Sequence, residues 1–405
     1  MTADAAVKLL GVKRETLYAY ASRGLVRSVA GRTQRARVYN REDVERLRAR
    51  SQARAGHGPV AASALRWGEP VLETRIGSIS REGPVYRGRL ALDLAREGAS
   101  FEDVCSLLWS APFRPEQDLD ARRFGAPVAH LRSLLRAGAE PFDGMLVTAG
   151  VLAAAEQHGE PTLEVARARA AALLRRLVAA CGLVQGADAV NASLEAATTS
   201  RALLVALGGR TTPAGVAAMT EALVLTADHE LNPSTFAARV AASAGASLPA
   251  CIMAALGTAS GSLHGAASAR VEAFVADVGK PERAAAVVGE RLARGESVPG
   301  FGHPGYPEGD PRGARLLEVA ERIGGRSRTV RILVSIVNAM ELVARERPTV
   351  DAGLVAVAAA LGLPRGAPLA IFASGRVAGW IAHALEQHAA GFILRPRARY
   401  AGAGG

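Results

Sequence analysis

Apolar residues recur at helical spacing through most of the chain. From Ser106 to Ala293 the sequence is dense in alanine, leucine and valine, and sets such as Leu173, Leu174 and Leu177 fall on one helical face. Glycine or proline interrupts the pattern every 10 to 25 residues, and alternating runs of β-branched residues are few. This spacing predicts helices of ordinary length joined by turns. We therefore predict a mainly all-α fold class.

The first fifty residues show a separate arrangement of short elements. A short apolar stripe ends at Gly11, and residues 12–20 predict a second helix that turns Leu17 inward. An extended piece follows at residues 23–26, and Asn40 is a candidate N-cap for a third helix. Two helices joined by a glycine-containing turn are typical of a helix-turn-helix, whose second helix enters the major groove of DNA.

Charge is concentrated in this first segment. The chain carries a net charge of +11, and residues 1–56 hold 13 basic and 5 acidic residues, which leaves a net charge of +8 on that segment. The asymmetry indicates a basic module joined to a nearly neutral body. The candidate DNA contacts are Lys13, Arg14 and Tyr18 on the second helix and, for phosphates, Arg32, Arg35 and Arg37. A second interpretation stays open, in which the segment is a helical appendage that docks on the body or on a partner.

Composition narrows the class of protein further. Hydrophobic residues make up 49% of the chain and charged residues 21%, which excludes a disordered protein. The apolar stretch at residues 367–385 contains Arg376 and His383, so no transmembrane helix is predicted. The first residues carry no apolar secretory segment, and the three cysteines lie far apart. We therefore expect a cytoplasmic protein. Residues 57–70 are predicted to form a linker.

Three histidines stand in glycine-rich or helix-end contexts, namely His229, His264 and His303. Glycine beside a histidine permits close approach of a ligand to the backbone, which favours a binding role over a purely structural one. Residues 300–305 fit the spacing G-x-G-x-x-G, but the prolines around and within them exclude a dinucleotide-binding turn. The histidines show no i, i+4 pairing on one helix, so a metal site is poorly supported and none is predicted.

Three arginines complete the candidate chemistry of the C-terminal part. They are Arg312, which follows Asp310-Pro311, Arg376 within an apolar segment, and Arg395 near the end. An arginine in apolar surroundings needs a counter-anion, which is either a structural carboxylate or a substrate. Together with the three histidines, these arginine forks suggest a pocket for a small dicarboxylate.

Both parts of the chain resemble known families. The first fifty residues resemble the winged helix-turn-helix of MerR-type DNA-binding domains at residues 17–20, 23–26 and 39–47. From about Glu73 to Gly402 the chain resembles citrate synthase. The matching motifs, in the family's order, are Tyr86-Arg87-Gly88, the three histidine segments, Asp310-Pro311-Arg312, the segment at Asp351 and the segments at Arg376 and Arg395.

The resemblance to citrate synthase implies specific roles. His264 would stabilise the enol of the thioester, Asp351 would remove the α-proton of the acyl group, and His303 would polarise the ketone of oxaloacetate. Four further residues would hold the oxaloacetate carboxylates, namely His229, Arg312, Arg376 and Arg395. The family further implies a homodimer in which the last arginine comes from the partner subunit. It implies acetyl-CoA or propionyl-CoA as co-substrate and no permanently bound cofactor.

The same resemblance implies a domain division. A helix-turn-helix domain would occupy residues 1–56, a large helical domain residues 71–264 and 366–405, and a small helical domain residues 265–365, with the active site between the last two. Pro307 and Glu308 depart from the family, which often has a basic residue there for coenzyme A phosphates.

Two functions from different classes follow. The first is an acyltransferase, for which the choice between acetyl-CoA and propionyl-CoA stays open because one methylene discriminates by only about 1–3 kcal/mol. The second is a DNA-binding regulator whose synthase-like body senses oxaloacetate, citrate or acyl-CoA.

Overall fold

The chain divides into two compact units, Met1–Glu73 and Thr74–Gly405. The structure, a computed structural model, describes residues 1–30, 37–41, 43–45, 47–48, 72–114, 124–156, 163–303 and 305–396. Each unit has its own core of buried apolar side chains. The predicted linker lies outside the described residues, and the division of the second unit into large and small domains stays a prediction.

The first unit contains the predicted short helices. Helix α1 spans Ala3–Leu10 and α2 spans Arg14–Ser22, and the strands β1 (Ser28–Ala30) and β2 (Arg37–Tyr39) pair antiparallel. Its buried core is formed by Ala6, Leu17, Val26, Tyr39 and Val44. The second helix begins two residues later than predicted. Gly11 takes a left-handed φ of 64° and Lys13 is still extended, with ψ at 157°, so the turn is longer than the sequence pattern indicates.

The second unit opens with a small sheet that the sequence did not predict. Strands β3 (Gly77–Ser80), β4 (Gly83–Tyr86) and β5 (Arg89–Leu90) pair antiparallel in that order. Strands of two to four residues are too short for a period of two to stand out. Gly83, the first residue of β4, closes the first turn with a φ of 121°, and Gly88 lies in the second turn with a φ of 85°.

Helices make up most of the second unit. They are α3 (Ala91–Arg96), α4 (Phe101–Trp109), α5 (Val128–Ser133), α6 (Pro141–Ala155), α7 (Leu163–Ala180), α8 (Ala187–Glu195), α9 (Thr199–Ala206), α10 (Pro213–Thr226), α11 (Pro233–Ser243), α12 (Leu248–Ala259), α13 (Ala267–Val278), α14 (Ala284–Ala293), α15 (Pro311–Gly324), α16 (Arg328–Ala344), α17 (Val350–Ala360) and α18 (Ala367–Ala390). Two short 3-10 helices span Cys181–Val184 and Pro281–Arg283. Several helices begin at proline, whose fixed φ suits the first helical position. The predicted mainly all-α fold is confirmed.

Helix α18 forms the centre of the second unit. It packs against α4, α7, α10, α11, α12 and α17, and nearly all of its residues are buried. A Cβ at Gly375 would lie 2.1 Å from Oγ1 of Thr226, and one at Gly379 would lie 2.5 Å from the carbonyl oxygen of Ala227. A helix enclosed on all sides is apolar all round, which explains the long apolar segment in the sequence. Within the described ranges, no helix is both long and apolar enough to cross a membrane.

Helices α15 and α17 cross so closely that their backbones touch. A Cβ at Gly313 would lie 2.4 Å from the carbonyl oxygens of Pro348 and Thr349, and one at Gly353 would lie 2.7 Å from Cβ of Leu316. This crossing brings the first turn of α15 against the first turn of α17.

We expect Gly313→Ala to lower the free energy of unfolding by about 1–3 kcal/mol, the usual cost of overpacking. Its methyl group would meet backbone oxygens that cannot rotate away. The matched control is Gly289→Ala in α14, where a Cβ has nothing within 4 Å and the helix gains about 0.5–1 kcal/mol of propensity. Urea unfolding measures both variants, and equal stability of the two would contradict the close crossing.

Candidate active site

A tight turn between α10 and α11 presents His229. Glu230 adopts a left-handed φ of 52°, and its N–H donates to Oδ2 of Asp228 at 3.1 Å. Asn232 then caps α11 by accepting from the N–H of Thr235 at 3.0 Å. The His229 ring is buried at this turn, beside the carboxyl end of α10.

His264 lies in the turn between α12 and α13. Its Nε2 is 2.7 Å from Oγ of Ser234. The same Oγ accepts from Nε1 of Trp380 at 3.1 Å. The edge of the ring faces Phe372 with centroids 6.0 Å apart. The next residue must be glycine, because a Cβ at Gly265 would lie 2.6 Å from the carbonyl oxygen of Ala259. The imidazole is therefore fixed from two helices, α11 and α18.

His303 lies in the loop before α15 and close to His229. The two ring centroids are 5.6 Å apart. The N–H of Gly305 donates to Nδ1 of His303 at 3.0 Å, so in the neutral ring the proton is assigned to Nε2. The loop thus provides a neutral imidazole N–H donor.

Arg312 and Asp351 are linked through Asp310. The Arg312 side chain donates from Nε to Oδ1 of Asp310 at 3.0 Å and from Nη2 to Oδ2 at 2.8 Å. Oδ2 of Asp310 also accepts from the N–H of Val350 at 3.2 Å, directly before Asp351. The pair of Asp310 and Arg312 is buried, whereas Asp351 keeps part of its surface exposed. One carboxylate thus joins the start of α15 to the start of α17.

Arg376 lies on α18 and is almost completely buried. Its Nε donates to the carbonyl oxygen of Thr226 at 2.8 Å, and its guanidinium stands over the Phe372 ring at 5.0 Å. Its Nη1 has no hydrogen-bond partner among the described residues. A buried cation with an unpaired donor is costly, and binding of an anion would relieve that cost.

Burial shifts the pKa values of the histidines and of Asp351 in opposite directions. Burial lowers the pKa of His264 to about 4, and the Arg376 cation acts in the same direction. Burial and Arg312 likewise lower the pKa of His303, and burial with both arginine cations lowers that of His229. Burial raises the pKa of Asp351 to about 6, against the effect of Arg312. At neutral pH the three imidazoles of the site are therefore neutral and the Asp351 carboxyl is ionised.

Six of the seven predicted site residues lie in this region. Arg395 is exposed in the irregular segment that follows α18. Three contributors had not been predicted, namely Ser234 at His264, Tyr306 at His229 and Asp310 at Arg312. Asp310 could have been recognised from its place at the N-cap before Pro311, whereas Ser234 and Tyr306 are recognisable only once the chain is folded.

The predicted DNA contacts lie in the first unit, and the structure describes two of the four arginines among them, Arg14 and Arg37. Tyr18 is 49% exposed on α2, and Arg14 forms an ion pair with Asp4 of α1. Lys13 precedes α2, and Arg37 on β2 donates to Oγ of Ser28 at 3.3 Å. Arg32 and Arg35 lie outside the described residues.

Comparison with known proteins decides the family. Residues 64–397 match the family model of the citrate synthase C-terminal domain. The chain is 30% identical to citrate synthase 2 of Bacillus subtilis over 344 residues, which cover 81% of this chain and 92% of that protein. The chain belongs to the citrate synthase family. The predicted class of enzyme, a citrate synthase-type acyltransferase, is thereby confirmed.

Further relatives of this citrate synthase-family chain are also citrate or 2-methylcitrate synthases. It is 34% identical over 341 residues to citrate synthase of Haloferax volcanii, covering 78% of this chain and 89% of that protein. It is 28% identical over 336 residues to 2-methylcitrate synthase of Mycobacterium tuberculosis, covering 78% and 84%. The fold matches Thermoplasma acidophilum citrate synthase, solved with carboxymethyl coenzyme A and oxaloacetate, with a TM-score of 0.72, 23% identity, and coverage of 83% of this chain and 95% of that chain. Residues 1–58 match the MerR helix-turn-helix family of regulatory proteins.

Proposed function

We propose that the second unit condenses an acyl-CoA with oxaloacetate and releases free CoA. The product is citrate from acetyl-CoA or 2-methylcitrate from propionyl-CoA. The observation that carries the proposal is the unpaired, buried Nη1 of Arg376, in a site whose other nearby cation is Arg312. Burial leaves the Arg376 cation poorly solvated and lowers its pKa to about 10. Arginine forks bind carboxylates through paired N–H donors, which suits a small dicarboxylate.

The first chemical step is removal of a proton from the carbon next to the thioester. Asp351 accepts this proton as the ionised base, and the neutral His264 donates to the thioester oxygen as negative charge develops there. The low pKa of His264 keeps its imidazole neutral at the working pH, so the ring offers an N–H to the developing oxyanion and gives the enol when that proton moves onto the oxygen. The enol is the species that this pair would stabilise.

The second step forms the carbon–carbon bond. The enol carbon attacks the ketone of oxaloacetate, and the enol proton returns to His264 as the thioester carbonyl re-forms. The N–H of His303 polarises the ketone oxygen and gives it its proton. His229, Arg312 and Arg376 hold the ketoacid carboxylates, which fixes the carbonyl for attack. Water then hydrolyses the resulting thioester to release the tricarboxylate and CoA, with no resident cofactor or metal in the scheme.

The direct test measures free CoA thiol with acetyl-CoA and propionyl-CoA side by side, each with and without oxaloacetate. Release that requires oxaloacetate is expected, and the ratio of the two kcat/KM values identifies the preferred acyl chain. Thiol release that does not depend on oxaloacetate would indicate a thioester hydrolase and contradict the proposal.

The rate should depend on pH through the proposed base. Because burial raises the pKa of Asp351 to about 6, the carboxylate is ionised above that pH and protonated below it. We expect kcat/KM for the acyl-CoA to fall about tenfold per pH unit once the pH drops below 6. A profile measured between pH 5 and 8 checks this, and a flat acidic limb would contradict Asp351 as the base.

We also propose that the chain is a homodimer through the face formed by α6, α11 and α12. This face exposes Val240 and Met253, and a Cβ at Gly257 would have nothing within 4 Å, so another helix can approach closely. Phe392 and Ile393 are exposed in the segment after α18, which is attached to α11 by the Leu394 N–H donating to Ser243 at 3.0 Å. A second copy against this face would cover these apolar side chains.

In such a dimer Arg395 would complete the site of the partner subunit. The test mixes two inactive variants, Arg395→Ala and Asp351→Asn, after joint unfolding and refolding. If Arg395 acts across the interface, each mixed dimer holds one intact site, and about a quarter of wild-type activity returns. If no activity returns although mixed dimers form, Arg395 does not act across the interface.

A second candidate function is DNA binding by the first unit, favoured by the MerR match, the charge of +8 and the exposed Tyr18. We propose that it contacts DNA through α2 and through Arg32, Arg35 and Arg37. We also propose that the protein works in the cytoplasm, where its buried free cysteines stay reduced. The full chain should retain DNA at low salt and lose it steeply as salt rises. Deleting residues 1–56 should remove this retention and leave turnover unchanged, whereas retention by the deleted chain would contradict the assignment.

A further inference from the structure

Tyr306 lies at the centre of the site, although the scheme above gives it no role. It is 3% exposed, and its hydroxyl is 2.9 Å from Nε2 of His229. Its ring is 5.1 Å from the ring of His303, and the Arg312 guanidinium stands over its face at 5.5 Å. One side chain therefore touches three of the groups that would hold or polarise the ketoacid.

The backbone fixes Tyr306 within a short closed loop. Its N–H donates to the carbonyl oxygen of His303 at 2.9 Å, and its own carbonyl oxygen accepts from Gly309 at 3.0 Å. Gly309 has a φ of 106°, which only glycine adopts readily, and a Cβ there would lie 2.5 Å from Cβ of Arg347. The hydroxyl is thus held against His229 by the loop itself.

Both groups at this contact are neutral. Burial raises the pKa of Tyr306 to about 12, so the hydroxyl keeps its proton, and burial lowers the pKa of His229, so the imidazole is not protonated. Within the described residues the partner of the hydroxyl is Nε2 of His229. A buried O–H without an acceptor is costly, so the favourable arrangement has the hydroxyl donating to an unprotonated Nε2.

We propose that Tyr306 is a positioning residue for the ketoacid: its hydroxyl donates to Nε2 of His229, fixes the orientation of that ring, and places the single imidazole proton on Nδ1. His229 then meets the substrate as a donor with one defined N–H. This inference rests on the proposed function for the identity of the ketoacid, but the contact between the two side chains does not.

The variant Tyr306→Phe removes only the hydroxyl. The phenyl ring still lies beside His303 and beneath the Arg312 guanidinium, so the loop keeps its packing. We expect KM for oxaloacetate to rise about tenfold, the value of one buried hydrogen bond. Since the side-chain contacts of Tyr306 are with groups assigned to the ketoacid, kcat and KM for the acyl-CoA should stay within about threefold.

Tyr86→Phe is the matched control. Tyr86 is also buried, and its hydroxyl donates to the carbonyl oxygen of Val224 at 3.0 Å. Its loss should lower the melting temperature without raising KM for oxaloacetate. Equal increases in KM for both variants would mean that the effect is general loosening, which would overturn a specific role of Tyr306.

Nitrogen-15 NMR of the labelled histidines reports the tautomer of His229, and this measurement does not require enzymatic turnover. The His229 signals are assigned by their loss in His229→Asn. In the wild-type chain they should show a proton on Nδ1, and in Tyr306→Phe a mixture of the two tautomers. A proton on Nε2 in the wild type, or identical signals in Tyr306→Phe, would overturn the proposal.

The two proposals can fail separately. If the wild-type chain shows no turnover, oxaloacetate affinity is measured by calorimetry, and an affinity that Tyr306→Phe leaves unchanged overturns the positioning role. If the wild-type chain does not bind oxaloacetate at all, the proposed function fails, and the NMR signals of His229 alone decide whether Tyr306 sets its tautomer.

Discussion

Replacing Asp351 with asparagine should lower kcat for CoA release by about 10²–10⁴-fold, the usual contribution of a general base. Asparagine keeps the size of the side chain but cannot accept the α-proton. Oxaloacetate binding should remain, because the carboxylate-binding arginines are untouched. Thiol release under saturating substrates measures the first expectation, and calorimetric titration with oxaloacetate measures the second.

The stability of this variant provides an internal check. The folded chain raises the pKa of Asp351 to about 6, so it favours the neutral carboxyl, and ionisation above that pH makes folding less favourable. Asp351→Asn should therefore melt at the same temperature as the wild type or higher at pH 8. The control is Asp277→Asn, an exposed residue of α13 that should keep full activity. Turnover retained by Asp351→Asn would rule out Asp351 as the base.

Replacing Arg376 with lysine should raise KM for oxaloacetate by about a hundredfold or more. Lysine keeps the positive charge but loses the planar fork, and an ammonium group cannot replace both the bond to Thr226 and a paired contact with a carboxylate. Truncating one partner of a buried charged pair typically costs about 2–5 kcal/mol, which sets this range. Steady-state kinetics with varied oxaloacetate measure the effect.

Arg315→Lys is the matched control for that substitution. Arg315 is half-buried on α15 and donates from Nε to Glu221 at 2.9 Å, in an ion pair that has no part in the proposed site. Its replacement should leave KM for oxaloacetate within about twofold, since partly exposed ion pairs contribute little. If Arg376→Lys behaves like this control, Arg376 does not hold the ketoacid.

Much of this site could be predicted because its residue types conflict with their surroundings. Arg376 stood out as a cation in an apolar segment, and the fold explains the segment by enclosing α18 on all sides. His264 and His303 stood out through their glycine neighbours, and Gly265 proves to be required by a carbonyl oxygen of α12. Residues whose chemistry conflicts with their neighbours in the sequence can be recognised from the sequence alone.

The remaining contacts join positions that are far apart in the chain. Tyr306 meets His229 across 77 residues, and Trp380 meets Ser234 across 146 residues. In their own sequence surroundings, neither Tyr306 nor Ser234, which follows the helix-capping Asn232, differs from an ordinary structural residue. Their roles arise only when the α10–α11 turn, the loop before α15 and α18 are brought together, which no periodicity encodes.

The most direct test of the central claim follows the new carbon–carbon bond. The full chain is incubated with oxaloacetate and acetyl-CoA that carries carbon-13 in its methyl group, and the products are observed by carbon NMR. Condensation predicts that the label moves into a methylene carbon of citrate, and that Asp351→Asn forms none. Labelled acetate without citrate, or unchanged acetyl-CoA from a folded chain that binds oxaloacetate, would contradict the account.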